Sequence, residues 1–283
     1  IIANSPREHR ATLTIELQLE FLCPGSQNTA MLKHSMKSKS AMTLDRVLSR
    51  YGLASRSAAR EAILAGRIKV NGRVVRDPDI WIRADQDTLH LDGNRLRRAR
   101  RTYLLFYKPK GVITSHGDPG ARKTIYDYLD KTLGWVSPVG RLDKDTSGLL
   151  ILTNDTDFAN SITDPASGVP KTYTVKVSGL VSDEIIADLA RGVEMKRGDW
   201  AHPQSVRRLE DRGKYTWLEI VLTEGKNREV RRMIEAVGFE VLKLVRMRIG
   251  PCTLKGLQVG AWRHLHSKEV SELKKHWPVP AGQ

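Results

Sequence analysis

Two cysteines in 283 residues leave little room for disulfide or thiolate-metal chemistry. Cys23 and Cys252 are far apart and neither has a His or Cys neighbour at metal-binding spacing, so no disulfide framework and no zinc site is expected. A reducing cytoplasm is the natural setting for such a chain. Long apolar runs are also missing. Nothing approaches the roughly 20 apolar residues of a membrane-spanning helix, so no membrane span is expected. Negative charge is scarce: 32 Asp and Glu stand against 47 Lys and Arg, a net +15 with pI ≈ 9.9. So basic a balance points to a polyanionic partner, either nucleic acid or an acidic membrane surface.

What is present fits a globular chain. With 40% hydrophobic and 28% charged residues, the length allows one large domain or two moderate ones. Residues 1–41 show no clear periodicity: Leu13 to Leu22 is broken by Glu16, Gln18 and Glu20, and Lys33 to Ser40 is polar. The carboxylates, and the lack of a positive end before them, argue against a secretory signal. The segment is expected to be a disordered or mis-started extension, since Met42 stands just before the first patterned stretch.

Residues 42–93 read as a small unit. Leu44, Val47 and Leu48 have helical spacing, and Ser55 or Ser57 caps a second helix through Ala58, Ala62 and Ile63 that stops at Gly66. Asn71-Gly72 between two alternating apolar runs predicts a hairpin over Ile68 to Val75, and Asp85 to Asp92 a further strand. From Met42 to Arg101 there are 14 Arg and Lys against 7 Asp and Glu. Arg46, Arg50, Arg56, Arg60, Arg67 and Lys69 make a basic face suited to phosphate contacts. A solvated surface usually explains a mere charge run. Here the order of elements adds weight: helix, Ser-Arg-Ser start, helix, Gly, Asn-Gly hairpin. That order resembles the S-four-type (αL) RNA-binding module.

Residues 94–101 are expected to be a basic linker, too charged to pack. A second domain over 102–270 opens with the strand Tyr103 to Tyr107. Lys108-Pro109-Lys110-Gly111 is its exit, because proline cannot donate to a ladder and glycine permits a tight turn. Val112 to Thr114 resumes, Asp118-Pro119-Gly120 marks a turn, and Thr124 to Leu129 reads as a short helix. Leu149 to Leu152 has the unbroken apolarity of a strand buried on both faces. Asp155 caps a helix carrying Phe158, Ala159 and Ile162. Lys171 to Val177 alternates strictly, Ser182 to Leu189 is a helix, and Trp217 to Leu222 a strand. Val230, Met233, Ile234 and Val237 share one helical face, and Val241 to Ile249 alternates again. Strands outnumber helices and connections are mixed, which predicts an α+β domain on a curved mixed sheet. Residues 271–283 are left as a C-terminal tail.

The chemistry concentrates at Gly140 to Asp155, where Arg141-Leu142-Asp143 beside a glycine bend runs into the apolar strand. A carboxylate held there can be partly desolvated yet reach a substrate. On residue types alone, Asp143 tying down a turn is an equal alternative. Asp145 offers a second acid, but two carboxylates without a third ligand are weak grounds for Mg²⁺. With the strand bearing Lys171 and Tyr173, and the Arg-bearing helix after Glu224-Gly225-Lys226-Asn227, three separate pieces recur in order. The chain resembles the bacterial rRNA pseudouridine synthases of the RsuA/RluB group. Gly140 to Asp155 is similar to their signature block, Lys108 to Gly111 to their first motif, and Glu224 to Met233 with Leu244 to Pro251 to their third.

The resemblance implies isomerisation of uridine to pseudouridine in rRNA, without metal or cofactor, by a monomer. It implies that Asp143 is the essential aspartate, that Tyr173 stacks on the target base and helps move the ring proton, and that Arg231 pairs with Asp143. Leu244 would pack under the site, and Arg141, Lys108, Arg228 and Arg232 would contact substrate. The residue chemistry agrees. A carboxylate can act on the sugar as nucleophile or base, a neighbouring arginine favours its ionised form, and an aromatic face holds a splayed base. Alone, Tyr173 alternating with Val175 reads as core, and Arg231 could pair with Glu235 on its own helix. Arg141 could brace the bend rather than meet a phosphate. Asn227 to Met233 looks closer to members acting on large-subunit rRNA than to the small-subunit enzyme. A non-catalytic RNA-binding ribosome-assembly protein is the alternative from another class.

Overall fold

The computed structural model describes residues 41–275, apart from 52–54, 98, 116–119, 121, 131 and 197. All of the expected extension but Ala41 lies outside these residues, as do Cys23, Asp118-Pro119 and the tail from 276 on.

The first unit joins β1 (Ala41–Thr43), α1 (Leu44–Arg50), α2 (Arg56–Leu64), β2 (Ile68–Val70), β3 (Arg73–Val75), β4 (Trp81–Arg83), β5 (Leu89–Leu91) and β6 (Asn94–Arg95). The Ser55 side chain accepts from the Ala58 N–H, capping α2. Asn71 and Gly72 take φ of +50° and +81°, the left-handed pair that a two-residue hairpin between β2 and β3 demands. Leu44, Val47, Ile63, Ile68, Ile82 and Leu89 close one apolar core. Two expectations need correction. The strand expected over Asp85 to Asp92 is only Leu89–Leu91, because residues 84–86 turn and the Asp87 carboxylate accepts from the Arg83 N–H. The linker does not start at 94: Asn94 and Arg95 pair with Leu91 and His90 across a second left-handed turn, Asp92-Gly93.

The second unit contains β7 (Tyr103–Lys108), β8 (Ser137–Pro138), β9 (Ser147–Thr153), α3 (Thr156–Thr163), β10 (Lys171–Val177), α4 (Asp183–Arg191), β11 (Val193–Glu194) and β12 (Trp200–Ala201). It continues with β13 (Ser205–Arg212), β14 (Tyr215–Leu222), α5 (Glu229–Ala236), β15 (Val241–Ile249), β16 (Cys252–Thr253), β17 (Trp262–His264) and α6 (Ser267–Leu273). The main sheet runs β13-β14-β10-β15-β9-β7-β17. It is mixed: β15 and β9 pair in parallel, and the remaining neighbours are antiparallel. Leu149, Leu150, Ile151 and Leu152 are all fully buried, alternately in a core with α3 and α6 and in one with Ile125 and Leu142. Burying each such side chain is worth about 1.5–3 kcal/mol, which makes β9 the anchor of the strands around it. A third core packs β10, β14 and β15 against α4 and α5.

Val112 to Thr114 forms a single bridge, Ile113 to Thr124, rather than a strand. β13 escaped the sequence reading because its outward positions carry most of its charge and only Val206 supplies an apolar inward residue. α6 runs past residue 270, where the tail was expected to begin, because Leu273 is fully buried in the core with Phe158 and Ile162.

Candidate active site

Asp143 sits in the loop between β8 and β9, and its position follows from how the loop's carbonyls are held. Thr114 Oγ1 donates to Leu142 O at 2.8 Å, and the Thr146 N–H to Asp143 O at 3.1 Å. The Gly111 N–H donates to Lys144 O at 2.7 Å, and Arg231 Nη2 to Asp145 O at 3.1 Å. Lys108 Nζ reaches Thr146 O at 2.8 Å, Asp143 O at 3.0 Å and Pro109 O at 3.2 Å. Each carbonyl from 142 to 146 thus has a donor. The carboxylate is presented by a backbone with little freedom of its own.

Gly148 locks the exit from this loop. A Cβ there would lie 2.4 Å from Arg246 O and 2.5 Å from Arg246 N, in a backbone at φ +122°. Only glycine lets β9 pair in parallel with β15 at Arg246. The glycine of the motif is therefore a packing requirement of the strand that follows it.

The loop opens onto a cleft of ≈ 580 Å³, lined by Arg141, Asp143, Tyr173, Arg228 and Leu244 among others. These five candidates come together as expected. Tyr173 belongs to the inward face of β10 and is both core and cleft wall. Leu244, opposite Val175 on the neighbouring strand, shares that core and the cleft wall.

Three candidates are placed differently. The arginine within ion-pair distance of Asp143 is Arg228, at 3.9 Å, and not Arg231. Arg228 takes φ +48° as the residue before α5, which swings it back over the loop. Arg231 directs its Nη2 to Asp145 O and its Nη1 to Val241 O. Burial and the nearby Arg228 push its guanidinium below its usual affinity for the proton, while Asp143 and Asp145 support its charge. Lys108 has no exposed surface and cannot meet a substrate. Burial pushes its ammonium down to about 8, although Asp143 and Asp145 favour its charge. Arg232 donates to Asp199 at 2.6 Å and to Lys196 O, bracing the turn between β11 and β12.

The sequence reading missed a charged floor. Lys171, Glu224, Glu229 and Arg246 all line the cleft. Lys171 Nζ donates to Thr223 O at 2.9 Å, and burial, with Arg246 nearby, pushes it down to about 8. Burial, with the Glu224 carboxylate as hydrogen-bond partner and neighbouring charge, pushes Glu229 far above the usual carboxylate range. Glu229 also accepts from the Lys226 N–H at 3.0 Å, tying down the loop that leads to Arg228. A signal was present for Lys171, which shares an inward face with Tyr173, Val175 and Val177. For Glu229 the α5 stripe gave none. Among the described residues, no three His, Cys, Asp or Glu side chains converge as a metal site requires, so Asp143 and Asp145 gain no third ligand.

The module's basic face is more neutralised than expected. Arg56 and Arg60 bind the fully buried Asp45, and Arg60 also binds Asp79. Arg67 pairs with Asp92, and Arg50 reaches Asp157 of α3 at 2.6 Å. Arg46 and Lys69 are exposed.

This arrangement has known counterparts. Residues 102–236 match the RNA pseudouridylate synthase family, and residues 42–80 the S4 domain. A "ribosomal large subunit pseudouridine synthase B" of Bacillus subtilis (strain 168) is 39% identical over 232 residues, covering 82% of this chain and 95% of the relative. The chain belongs to the pseudouridine synthase family. It is thereby an isomerase that acts on RNA. The Escherichia coli (strain K12) protein of the same name is 36% identical over 247 residues, covering 84% of each chain. A solved pseudouridylate synthase superposes with a TM-score of 0.60 at 29% identity, covering 82% of this chain and 99% of that one. Among the described residues, no helix is long and apolar enough to cross a membrane.

Proposed function

We propose that this chain converts a uridine of large-subunit rRNA to pseudouridine in the cytoplasm, with Asp143 as the catalytic group. The observation that carries the reading is the tethered loop that aims Asp143 into one cleft with Tyr173 and Arg228. The reaction breaks the N1–C1′ bond, turns the uracil and forms a C5–C1′ bond. The C5 proton leaves and N1 gains one, so the product is an isomer. Asp143 acts at the ribose, by addition or by proton removal, while the base is detached. Tyr173 keeps the detached ring in the cleft by stacking, and Leu244 backs it. Arg228 meets the carboxylate from the open side, at 3.9 Å. Arg231 and Lys108 act through the backbone, as positioning residues. Arg141, exposed on the cleft rim, meets a phosphate of the extruded nucleotide.

The names of the relatives and the motif Asn227 to Met233 support the large subunit. The test is carbodiimide primer extension on rRNA from cells carrying wild type, a deletion, or Asp143→Asn. One large-subunit stop should disappear in both the deletion and the variant. Persistence of the stop in Asp143→Asn cells would overturn the catalytic assignment. A missing stop in small-subunit rRNA would reassign the target.

A further inference from the structure

The reverse face of the main sheet carries a second set of groups that the isomerisation does not use. Strand alternation turns Tyr173, Ile220 and Leu244 towards the cleft and the α4–α5 core. The alternate residues Lys176, Tyr215, Trp217 and Val221 look the other way and are only half-buried. Lys176 Nζ lies 3.9 Å from the centre of the Tyr215 ring and 5.9 Å from that of Trp217. Lys243 Nζ approaches the same indole from β15, on the far side of β10, at 5.8 Å, and Lys214 Nζ the Tyr215 ring at 5.8 Å. This strip leads to a concavity of ≈ 790 Å³, lined by Arg207, Met247, Arg248 and Lys255 among others. Its one acid, Glu219, is already bound by Arg207 at 2.7 Å.

We infer that this face is a second RNA-binding surface, taking a single-stranded segment that flanks the modified uridine. The inference rests on the RNA-modifying reading above and extends it to the side of the sheet away from Asp143. Charge decides the occupant. Lys176, Lys214, Lys243, Arg248 and Lys255 form no ion pair among the described residues, and they outnumber the acids beside them, Glu210 across from Trp217 and Glu219 held by Arg207, so the strip is net cationic. Lysines alone would read as a solvated surface. Lysines lying over two aromatic rings, on an open sheet face ending in a basic hollow, combine the features of a sequence-tolerant single-strand platform: cations for phosphates and π-faces for bases. A strand that settles there exchanges the ammonium–ring contacts for ammonium–phosphate contacts and leaves the ring faces to stack.

The test uses the full chain and a labelled oligoadenylate, which contains no uridine to engage the catalytic cleft. Each phosphate contact on a single strand contributes about 0.7 to the slope of log affinity against log salt, so Lys176→Ala with Lys243→Ala should lower the slope by about 1.4. At about 0.1 M salt that difference is about 25-fold in affinity, and it vanishes towards 1 M. Lys176→Arg with Lys243→Arg should keep both slope and affinity, which a merely structural role would not require. Conversion of rRNA at saturating enzyme should be unchanged in the Ala pair. An unchanged salt slope overturns the inference. So does a slope unchanged alongside loss of self-association in sedimentation, which would give the face to a second copy. Wild-type protein that converts no uridine would sink the proposed function instead, while the oligoadenylate slope still judges this face.

Discussion

Replacing Lys108 by Met keeps the side chain's length and removes its charge, which separates what this residue does for stability from what it does for position. Burial sets the ammonium at about 8 against its usual 10.5, with Asp143 and Asp145 favouring the charge and Arg246 opposing it. At about 1.36 kcal/mol per pH unit, the gap makes the buried charge cost about 3 kcal/mol at neutral pH. Methionine removes that cost. It also removes the donor from Thr146 O and Pro109 O, about 1–3 kcal/mol for each carbonyl that stays buried. Asp143 O and Lys144 O keep their amide donors, Thr146 and Gly111. The opposing terms nearly cancel, so Lys108→Met should shift unfolding stability by no more than about 2 kcal/mol near pH 7.5. Activity should fall much further, about 100-fold, because the loop that presents Asp143 is no longer held from below and small misplacements are costly.

The pH dependence checks the same picture with the sign fixed. Lys108 has a depressed affinity in the folded state, so the folded protein binds fewer protons than the unfolded chain between about 8 and 10.5. Wild type should therefore gain stability relative to Lys108→Met as pH rises through that window, by up to about 3 kcal/mol. Urea denaturation of both proteins near pH 7.5 and near pH 10, with single-turnover kinetics at neutral pH, measures both halves. Parallel stability curves, or an activity loss no larger than the stability loss predicts, would refute the reasoning.

Gly148→Ala places a Cβ 2.4 Å from Arg246 O at φ +122°, and should cost about 2–4 kcal/mol in a thermal melt; an unchanged midpoint would mean that β9 and β15 are not paired there. Burial alone would raise Asp45, but hydrogen bonds from Thr43, Arg56, Arg60 and the Arg46 N–H hold it at about 2. The stability this gives is present above the usual 3.8 and lost as pH falls towards about 2. Asp45→Asn should therefore lose about 1–2 kcal/mol at neutral pH, discounted because Arg56 and Arg60 are half-exposed, and the gap should close in acid melts. Glu229 is pushed up by burial and by Glu224, so its folding cost is absent below the usual 4.5 and grows as pH rises towards about 8. Glu229→Gln should therefore raise the melting midpoint near pH 8 and leave it unchanged near pH 4; the reverse order would show that Glu229 is ionised in the folded protein.

What the sequence disclosed depended on how local each device is. The Asn71-Gly72 hairpin, the Ser55 cap, the doubly buried Leu149–Leu152 run and the α5 stripe are written in neighbouring residues, and each stands where the pattern put it. Asp143, Tyr173, Arg141, Arg228 and Leu244 share one cleft because three separate pieces of sequence supply them: the Gly140 block, the Tyr173 strand, and the third motif. Lys108 and Arg231 carried the right charge for the wrong target: their partners are main-chain carbonyls, which no side-chain pattern reveals. Asn94–Arg95 looked like linker because its charge outweighed the Asp92-Gly93 turn beside it. The Glu224–Glu229 pair was out of reach, because its proton sharing arises only when the loop at Gly225 folds one acid onto the other.

The division of labour among the cations has a consequence for Asp143. Lys108 and Arg231 both lie near it, yet both direct their hydrogen bonds to backbone oxygens, so neither neutralises the carboxylate by contact. Among the described residues, the one basic group within ion-pair distance is Arg228 at 3.9 Å, with roughly half its side chain in solvent. At about 4 Å two unit charges attract by about 1 kcal/mol in water and about 4 kcal/mol where the effective dielectric is about 20. An open cleft leaves this pair near the weak end, and a nucleotide that displaces water moves it towards the strong end. The rigid part of the site, loop and strand, thus fixes where Asp143 points, while the strength of its principal ion pair is left to the filling of the cleft. Arg228 can serve that second role because it stands outside the helix, on a left-handed residue between Glu229's tethered loop and α5, and among the described residues is not committed to any carbonyl.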